Sequence, residues 1–220
     1  MDREAWRRER RLWNEVQMDT IYARRYDEQW GGYINPSHQQ FIEKFMALLP
    51  AGGHILDAAC GTGKYWSTLL ARGFAVEGTD QSRMMLAQAH KKHPDVPIKH
   101  VGLQELAYHD AFDGVICMDA MEIVFPEDWP LVLQHFHEAL HPAGHLYFTV
   151  EVESDEELAI AYAAGLRLGL PLVRGEYAHH GGYHFYPTDE QVRAWLIEAG
   201  FTLVDYGEGD DYRHYLTQRG

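Results

Sequence analysis

Between residues 54 and 152, short apolar runs alternate regularly with stretches in which apolar residues recur at helical spacing. This alternation constrains the fold more than any other feature of the sequence. The intervening stretches, near residues 64–72, 82–92 and 127–141, predict helices. Strands that alternate with helices at this spacing form a parallel sheet covered on both faces, because the crossovers are right-handed. The pattern predicts a three-layer α/β fold whose strands are HILDA, FAVEGTD, VPIKHVG, FDGVICMD and HLYFTVEV.

The two ends of the chain differ from this central pattern. Residues 2–33 predict one or two amphipathic helices, and the spacing of Phe41, Phe45 and Leu48 predicts another. The segment FTLVDYGEGDDYRHYLTQ predicts two strands joined by a tight turn, which must be antiparallel. We expect one domain over residues 1–220, with an N-terminal helical cap over 1–50 and an insertion over 152–187.

Composition narrows the class of ligand. The formal net charge of −14 repels polyanions, which argues against nucleic acid or a membrane surface and favours a cationic or neutral small ligand. No run approaches the roughly 20 apolar residues that span a bilayer, and the charged N-terminus lacks a signal-peptide core. Cys60 and Cys117 favour a reducing, cytoplasmic setting, with a disulfide between them as the alternative.

The stretch HILDAACGTG joins the first predicted strand to the first predicted helix. In an open parallel sheet this turn is a common ligand site. The dinucleotide pattern G-x-G-x-x-G needs a third glycine where Trp66 stands, and Lys64 follows the glycines at the wrong spacing for a Walker motif. Neither phosphate-binding pattern therefore fits.

Two acids indicate what this turn binds instead. Asp57 at the mouth of the first strand would oppose a pyrophosphate but attract an ammonium group, and the glycines allow close backbone approach. Asp80 ends the second strand 23 residues later, near the ~20-residue spacing at which an acid accepts hydrogen bonds from ribose hydroxyls. A ribose joined to a cationic amino acid indicates S-adenosylmethionine.

The motifs ILDAACGTG, EGTD, FDGVICMD and ALHPAG with HLYFTV resemble the successive motifs of the class I S-adenosylmethionine-dependent methyltransferases. The resemblance covers about residues 37–150, and VRAWLIEAGFTLVDY resembles the closing helix and strand of that family. It implies a Rossmann-like sandwich with a seven-stranded sheet in the order 3-2-1-4-5-7-6, strand 7 being antiparallel. It also implies S-adenosylmethionine as cofactor and S-adenosylhomocysteine as product.

The same resemblance implies which residues bind the donor. The turn after Asp57 would hold the methionine end and Asp80 the ribose. Because Leu103 stands where the family often has an acid, Gln104 or a backbone group is expected to bind the adenine. The predicted cofactor-binding set is Tyr22, Tyr26, Asp57, Ala58, Ala59, Cys60, Gly61, Gly63, Asp80, Gln81, Leu103, Gln104 and Met118.

On the acceptor side, the candidates follow the ends of the fourth and fifth strands or lie in the aromatic-rich insertion. Methyl transfer is an in-line displacement, so catalysis is chiefly positioning, and a base is needed only if the acceptor atom carries a proton. The catalytic candidates are Asp119, His180 and His184. The insertion fits a surface hairpin and a lid over the acceptor equally well. The predicted substrate set is Tyr33, Glu122, Glu151, Tyr183 and Tyr186.

One further motif suggests a metal. His137, Glu138 and His141 match the zinc-peptidase pattern H-E-x-x-H. The third ligand position is Tyr147, however, and Pro142 ends the helix at once. We therefore predict an ordinary amphipathic helix and no metal site.

Together these patterns predict a methyltransferase that acts on oxygen or nitrogen of a small molecule, as a monomer or homodimer, without nucleic acid or membrane partners. Two alternatives stay open. The chain could be an enzyme that cyclises or cleaves S-adenosylmethionine, or a protein that binds it without catalysis. Product analysis after incubation with the donor separates them.

Overall fold

The computed structural model describes residues 2–179 and 182–220. The helices are α1 (Arg3–Gln17), α2 (Pro36–Leu48), α3 (Trp66–Ala71), α4 (Arg83–Lys92), α5 (Trp129–Ala139), α6 (Asp155–Arg167) and α7 (Asp189–Glu198). The strands are β1 (His54–Ala58), β2 (Ala75–Asp80), β3 (Ile98–His100), β4 (Phe112–Cys117), β5 (Leu140–Glu151), β6 (Glu176–His179), β7 (Gly182–Phe185), β8 (Phe201–Gly209) and β9 (Tyr212–Arg219). Short π-helical turns lie at Met18–Tyr22 and Asp27–Gly31, and 3-10 turns at Leu103–Glu105 and Met121–Ile123.

The main sheet has seven strands in the order β3-β2-β1-β4-β5-β9-β8. Strands β1 to β5 pair in parallel, and β9 runs antiparallel to both β5 and β8. Because β6 and β7 form a separate hairpin, β8 and β9 are the sixth and seventh strands of this sheet, and the predicted order is confirmed. Asp210 and Asp211 have φ of 53° and 67°, as a two-residue hairpin turn requires.

Both faces of the sheet are buried, which explains the continuous apolar runs in the sequence. Successive side chains of a strand point to opposite faces. Leu56 and Phe148 therefore pack on one face with α5 and α7, while Ile55 and Tyr147 pack on the other with α2 and α3.

The start of α2 is defined by its cap. The side chain of Asn35 accepts hydrogen bonds from the backbone N–H groups of Ser37 and His38, at 3.0 and 3.3 Å. Such a cap satisfies N–H groups that have no partner within the helix. The helix consequently begins at Pro36 and places His38 in its first turn, where the side chain is buried.

The N-terminal helix and the segment between β5 and α7 pack against each other. The Trp6 ring contacts Tyr183 of β7 and Phe125, with centroids 5.8 and 5.6 Å apart. Arg3 pairs with the fully buried Glu176 of β6 at 2.7 Å. Within residues 2–179 and 182–220, no helix combines the length and apolar character needed to cross a bilayer.

Candidate functional site

A cleft opens at the carboxyl ends of β1, β2 and β4. It encloses about 1040 Å³ of space when its solvent-open mouth is included. Asp57 and Asp80 both line it, as do the residues after β4. Its lining is formed by Arg11, Asn14, Met18, Tyr26, Asp57, Ala59, Cys60, Gly61, Lys64, Tyr65, Asp80, Gln81, Met85, Val101, Gly102, Leu103, Gln104, Met118, Asp119, Ala120, Ile123 and Val124.

The turn after β1 brings bare backbone to this cleft. Gly61 and Gly63 have φ of 53° and 72°, a region that favours glycine. A Cβ on Gly61 would have no other atom within 4 Å, whereas one on Gly63 would lie 2.7 Å from the Trp66 ring. Gly61 thus presents backbone to the cleft, and Gly63 makes room for Trp66.

Asp57 is buried at the end of β1 and held by Trp66. Its Oδ2 accepts a hydrogen bond from the indole Nε1 of Trp66 at 2.7 Å. Burial raises the pKa of Asp57 to about 7, although the Trp66 hydrogen bond lowers it, and the charge of Asp80 raises it further. A nearby cation would favour the ionised form of Asp57, so the site is electrostatically suited to an ammonium group.

Asp80 ends β2, and two backbone amides hold its carboxylate. Its Oδ2 accepts from the Gly61 N–H at 2.8 Å, and its Oδ1 accepts from the Ser82 N–H at 2.7 Å. Burial raises the pKa of Asp80, and these two hydrogen bonds lower it. Each carboxylate oxygen can accept more than one hydrogen bond, so Asp80 can fasten the turn and also accept from hydroxyl groups in the cleft.

The far wall of the cleft is formed by the segment after β3. Leu103 and Gln104 of this segment line the wall, together with Gln81, which directly follows β2, and Leu103 is buried. Arg11 of α1 reaches over it, with Nη2 at 3.4 Å from Gln104 Oε1 and 2.6 Å from Glu105 Oε1. This wall therefore combines an apolar surface with the amide of Gln104.

The segment after α1 covers the mouth of the cleft. Tyr26 lines the cleft, whereas Tyr22 is 46% exposed and lies outside the lining. Asp27 accepts a hydrogen bond from the Thr62 hydroxyl at 2.6 Å and pairs with Lys92 at 2.9 Å. These contacts fasten the segment to the turn after β1.

Beyond β4 the backbone turns sharply at Asp119, whose φ of 52° lies in the left-handed region. The Asp119 N–H donates to Thr149 Oγ1 at 2.9 Å. His38 Nε2 lies 3.1 Å from Asp119 Oδ1, but the two are not aligned as a hydrogen bond. The His38 ring packs beside the rings of Tyr65 and Tyr212, with centroids 6.3 and 4.8 Å away. Aromatic rings therefore stand next to Asp119.

Glu122 and Glu151 have different surroundings. Glu151 Oε2 accepts from the Tyr186 hydroxyl at 3.2 Å and lies 3.1 Å from His184 Nδ1. Glu122 is 6% exposed, and its Oε2 has no hydrogen-bond partner among the residues that the structure describes. Burial raises the pKa of Glu122 well above its usual range, and the charges of Asp119 and Glu151 raise it further.

Three predicted cofactor residues lie outside the cleft lining, namely Tyr22, Ala58 and Gly63. Ala58 is fully buried within β1. The other predicted cofactor residues come together in the lining: Tyr26, Asp57, Ala59, Cys60, Gly61, Asp80, Gln81, Leu103, Gln104 and Met118. Their individual contacts with the donor stay predictions.

The predicted acceptor residues are more scattered. Tyr183 is buried, and its hydroxyl donates to Glu176 at 2.8 Å, while Tyr33 is 57% exposed. Because alternate residues of a strand face opposite sides, His184 points away from the core that Tyr183 enters and reaches Glu151 and Tyr186 instead. His180 lies outside the described residues.

Sequence reasoning missed several residues at this cleft. Lys64 and Tyr65 directly follow the glycine turn, so their position could have indicated them. Arg11 and Asn14 come from α1, and only tertiary packing brings that helix to the cleft. His38 carries no local motif, and its place beside Asp119 depends on how α2 packs on the sheet.

Comparison with known proteins gives a consistent family match. The model of a family described as a methyltransferase domain matches residues 22–206. A protein of Geobacillus sp. (strain WCH70), provisionally named a methyltransferase, is 29% identical over 220 residues, covering 84% of this chain and 89% of that protein. The ubiquinone biosynthesis O-methyltransferase of Xanthomonas axonopodis pv. citri (strain 306) is 26% identical over 178 residues, covering 78% of this chain and 71% of that enzyme.

The fold also matches a solved structure. Magnesium protoporphyrin IX methyltransferase from Synechocystis PCC 6803, crystallised with bound S-adenosylhomocysteine, superimposes with a TM-score of 0.70. The two share 19% sequence identity, and the match covers 96% of this chain and all of the other. At 19% identity, this similarity is evidence for a shared fold only.

Proposed function

The chain belongs to the methyltransferase domain family and is an S-adenosylmethionine-dependent enzyme, and we propose that it methylates an oxygen or nitrogen atom of a small molecule. The observation that carries this proposal is the shared cleft of Asp57 and Asp80, two buried acids on either side of a glycine turn. A buried acid at each position suits a ligand that has an ammonium group at one end and ribose hydroxyls farther along.

The residues present fit the donor. We assign Asp57 to its ammonium group, because this buried carboxyl lines the cleft and accepts its hydrogen bond from the neutral indole of Trp66. Asp80 is assigned to the ribose, and the wall of Leu103 and Gln104 to the adenine. The backbone at Gly61 allows close approach of the methionine end. When bound, S-adenosylmethionine supplies a methyl group activated by a sulfonium.

The rest of the cleft positions the acceptor. An attacking atom must be held at about 3 to 3.5 Å from the reacting carbon and in line with the bond that breaks. We propose Asp119 as the base for an acceptor atom that carries a proton, since it lines the cleft and stands 3.1 Å from His38 Nε2. His184, the other described candidate, contacts Glu151 instead.

A small acceptor is favoured by charge and by the relatives. The net charge of −14 disfavours nucleic acid as the acceptor. The two enzymes compared above take their names from ubiquinone biosynthesis and from magnesium protoporphyrin IX.

We further propose that the protein is a monomer or homodimer, with residues 1–50 as a cap and residues 152–187 as a lid over the acceptor. A cytoplasmic location belongs to the same proposal, because Cys60 and Cys117 are free thiols.

A turnover experiment tests the proposed function against its alternatives. The protein is incubated with S-adenosylmethionine alone and with a metabolite library, and products are identified by mass spectrometry. S-adenosylhomocysteine together with a methylated library member supports the proposal. A cyclised or cleaved donor in the sample without acceptor points to the second enzyme class, and binding without any product points to a non-catalytic protein.

Donor affinity is expected to rise with pH through about 7. The pKa of Asp57 is raised to about 7 by burial, so below that pH the carboxyl is mostly protonated and cannot pair with an ammonium group. Above it the carboxylate is charged and binding is stronger. Calorimetric titration with S-adenosylhomocysteine between about pH 5.5 and 7.5 should show affinity falling by up to about tenfold per unit below the pKa. Asp57→Asn should flatten this curve, and an equally steep curve in that variant would contradict the assignment.

Replacing Trp66 by phenylalanine is expected to move the same curve to higher pH. The Trp66 indole donates to Asp57 at 2.7 Å and thereby lowers the pKa of the carboxyl. A hydrogen bond to a charged group is worth about 1.5–3 kcal/mol, which corresponds to a shift of about one to two pH units. Trp195→Phe serves as the control, because Trp195 packs against Trp129 and Phe185. It should lower thermal stability without moving the inflection.

A further inference from the structure

A buried amide of α1 lies at the cleft without a partner among the residues that the structure describes. Asn14 is 8% exposed and lines the cleft. On the basis of the function proposed above, we infer that Asn14 recognises the adenine of the donor. Its amide oxygen is assigned to the exocyclic amino group of the base and its amide N–H to a neighbouring ring nitrogen. Asn14 would then determine which nucleoside the donor site accepts.

The contacts at the two ends of α1 locate Asn14 over the ends of β2 and β3. Arg11 Nη2 lies 3.4 Å from Gln104 Oε1, in the segment after β3. Asp19, in the turn that follows α1, accepts a hydrogen bond from the Ser82 hydroxyl, just after β2, at 2.5 Å. Asn14 lies between these contacts, three residues after Arg11 and therefore on the same helix face. It faces the part of the cleft beside these two strand ends.

This part of the cleft has the properties of a purine site. Asp80, which is assigned to the ribose, ends β2, and the base is bonded directly to the ribose. A purine presents two flat faces that suit apolar surfaces and carries hydrogen-bonding atoms along its edge. The apolar lining at these strand ends is formed by Met18, Met85, Val101 and Leu103.

The Asn14 amide is free to bind a ligand in this space. Its side chain makes no hydrogen bond with any residue that the structure describes. Both of its polar atoms retain accessible surface, unlike those of sealed polar groups such as the Tyr65 hydroxyl. Ligand sites combine apolar walls with a few fixed polar groups that orient the ligand. Because a helix holds Asn14 and its side chain is nine-tenths buried, it is such a fixed group.

The other two amides near the adenine wall are less suited to this role. Gln104 is already engaged at both ends, since Oε1 accepts from Arg11 Nη2 and Nε2 donates to Asp128 Oδ2, each at 3.4 Å. Gln81 has a free amide, but its side chain is only partly buried. Asn14 therefore combines a free donor, a free acceptor and deep burial.

The chemistry of an asparagine amide matches the edge of adenine. The amide has one acceptor oxygen and a nitrogen that donates. Adenine offers an amino group beside a ring nitrogen, and asparagine pairs with this edge through two hydrogen bonds. A base without the amino group would leave the amide oxygen unpaired, and a site built to bind an N–H group discriminates against a ligand that lacks it.

A comparison of two ligands tests the inference without turnover. S-adenosylhomocysteine and its analogue with hydrogen in place of the adenine amino group are titrated by calorimetry. We expect the wild type to bind S-adenosylhomocysteine at least about tenfold more tightly than the analogue, a difference of about 1.4 kcal/mol. Asn14→Leu should bind the two ligands about equally, through weaker binding of S-adenosylhomocysteine. Gln17→Leu, which removes an amide from the last residue of α1 outside the cleft lining, should keep the preference.

The ratio of the two affinities separates recognition from a structural effect. Leucine and alanine favour helix more than asparagine does, so α1 should form in Asn14→Leu, and Asn14→Ala should show the same loss of preference without added bulk. Equal weakening of both ligands, or an unchanged preference in these two variants, would overturn the inference. So would a preference that Gln81→Leu or Gln104→Leu abolishes while Asn14→Leu keeps it.

The same titrations keep this inference apart from the proposed function. If the wild type binds S-adenosylhomocysteine and its analogue with equal affinity, Asn14 does not recognise the amino group, but the donor site and the methyltransferase function stand. If the wild type binds neither ligand, the proposed function itself is refuted.

Discussion

Asp80→Ala is expected to weaken the binding of S-adenosylhomocysteine about 100-fold. The carboxylate is assigned to ribose hydroxyls, and hydrogen bonds to a charged group contribute about 1.5–3 kcal/mol each. A loss of about 3 kcal/mol corresponds to a factor of about 100 in the dissociation constant. The variant also removes the acceptor of the Gly61 N–H, at 2.8 Å, so the turn that should hold the methionine end loses a support. Calorimetric titration measures the effect directly.

Two further variants show whether the loss is specific. Asp80→Asn keeps one carbonyl oxygen for hydrogen bonding and should bind with intermediate affinity. Glu156→Ala removes an exposed negative charge outside the cleft lining and should leave the affinity unchanged. If the Asp80→Ala protein folds and binds with wild-type affinity, Asp80 does not bind the ribose, and the proposed donor site loses its main support.

Gly78→Ala is expected to destabilise the protein by about 3 kcal/mol and to reduce donor affinity at the same time. A Cβ at this position would lie 2.3 Å from Cζ2 of Trp66 and 3.0 Å from Cys60 Sγ. Overpacking of this kind costs about 1–3 kcal/mol, and displacement of the indole would also break its hydrogen bond to Asp57, the residue paired with Gly78 across β1 and β2. Denaturant unfolding gives the free energy of unfolding, and calorimetry gives the affinity.

The cause can be isolated by a double-mutant cycle. Phenylalanine at position 66 is smaller than tryptophan, so Gly78→Ala combined with Trp66→Phe should destabilise by less than the sum of the single effects. Additive effects would show that the two residues do not clash. Gly32→Ala is the control for the glycine change, because its Cβ would meet nothing within 4 Å and its backbone has a φ of −90°. That variant should unfold like the wild type.

The architecture could be predicted from the sequence because the patterns that indicate it lie within short segments of the chain. Apolar runs alternating with amphipathic stretches predicted the parallel sheet, and the short spacing of the last two strands predicted the antiparallel β9. The role of segment 152–187 was harder to predict, because a surface hairpin and a lid have the same composition. The structure places α6 and the hairpin β6–β7 there, with the hairpin packed on α1 and the turn at 121–123.

The donor side of the cleft was also accessible in large part. In a parallel sheet the ends of adjacent strands meet at one edge, so Asp57 and Asp80 had to come close wherever the helices packed. Apart from Tyr26, the residues that reach the cleft from the N-terminal part of the chain were not predicted. Arg11 and Asn14 arrive on α1, and Tyr183 enters the core although it had been predicted to contact substrate.

By itself, the sequence determined the layered fold, the bend after β1 and the two acids at the ends of β1 and β2, since periodicity and strand order are enough to specify these. Only the tertiary structure decided which groups stand opposite each other. It placed His38 next to Asp119, directed Trp66 over Gly78 onto Asp57, and buried Glu122 with an Oε2 atom that has no hydrogen-bond partner among the described residues. The reason is physical, because the partner and the pKa of a buried polar group depend on side chains that packing brings from distant parts of the chain.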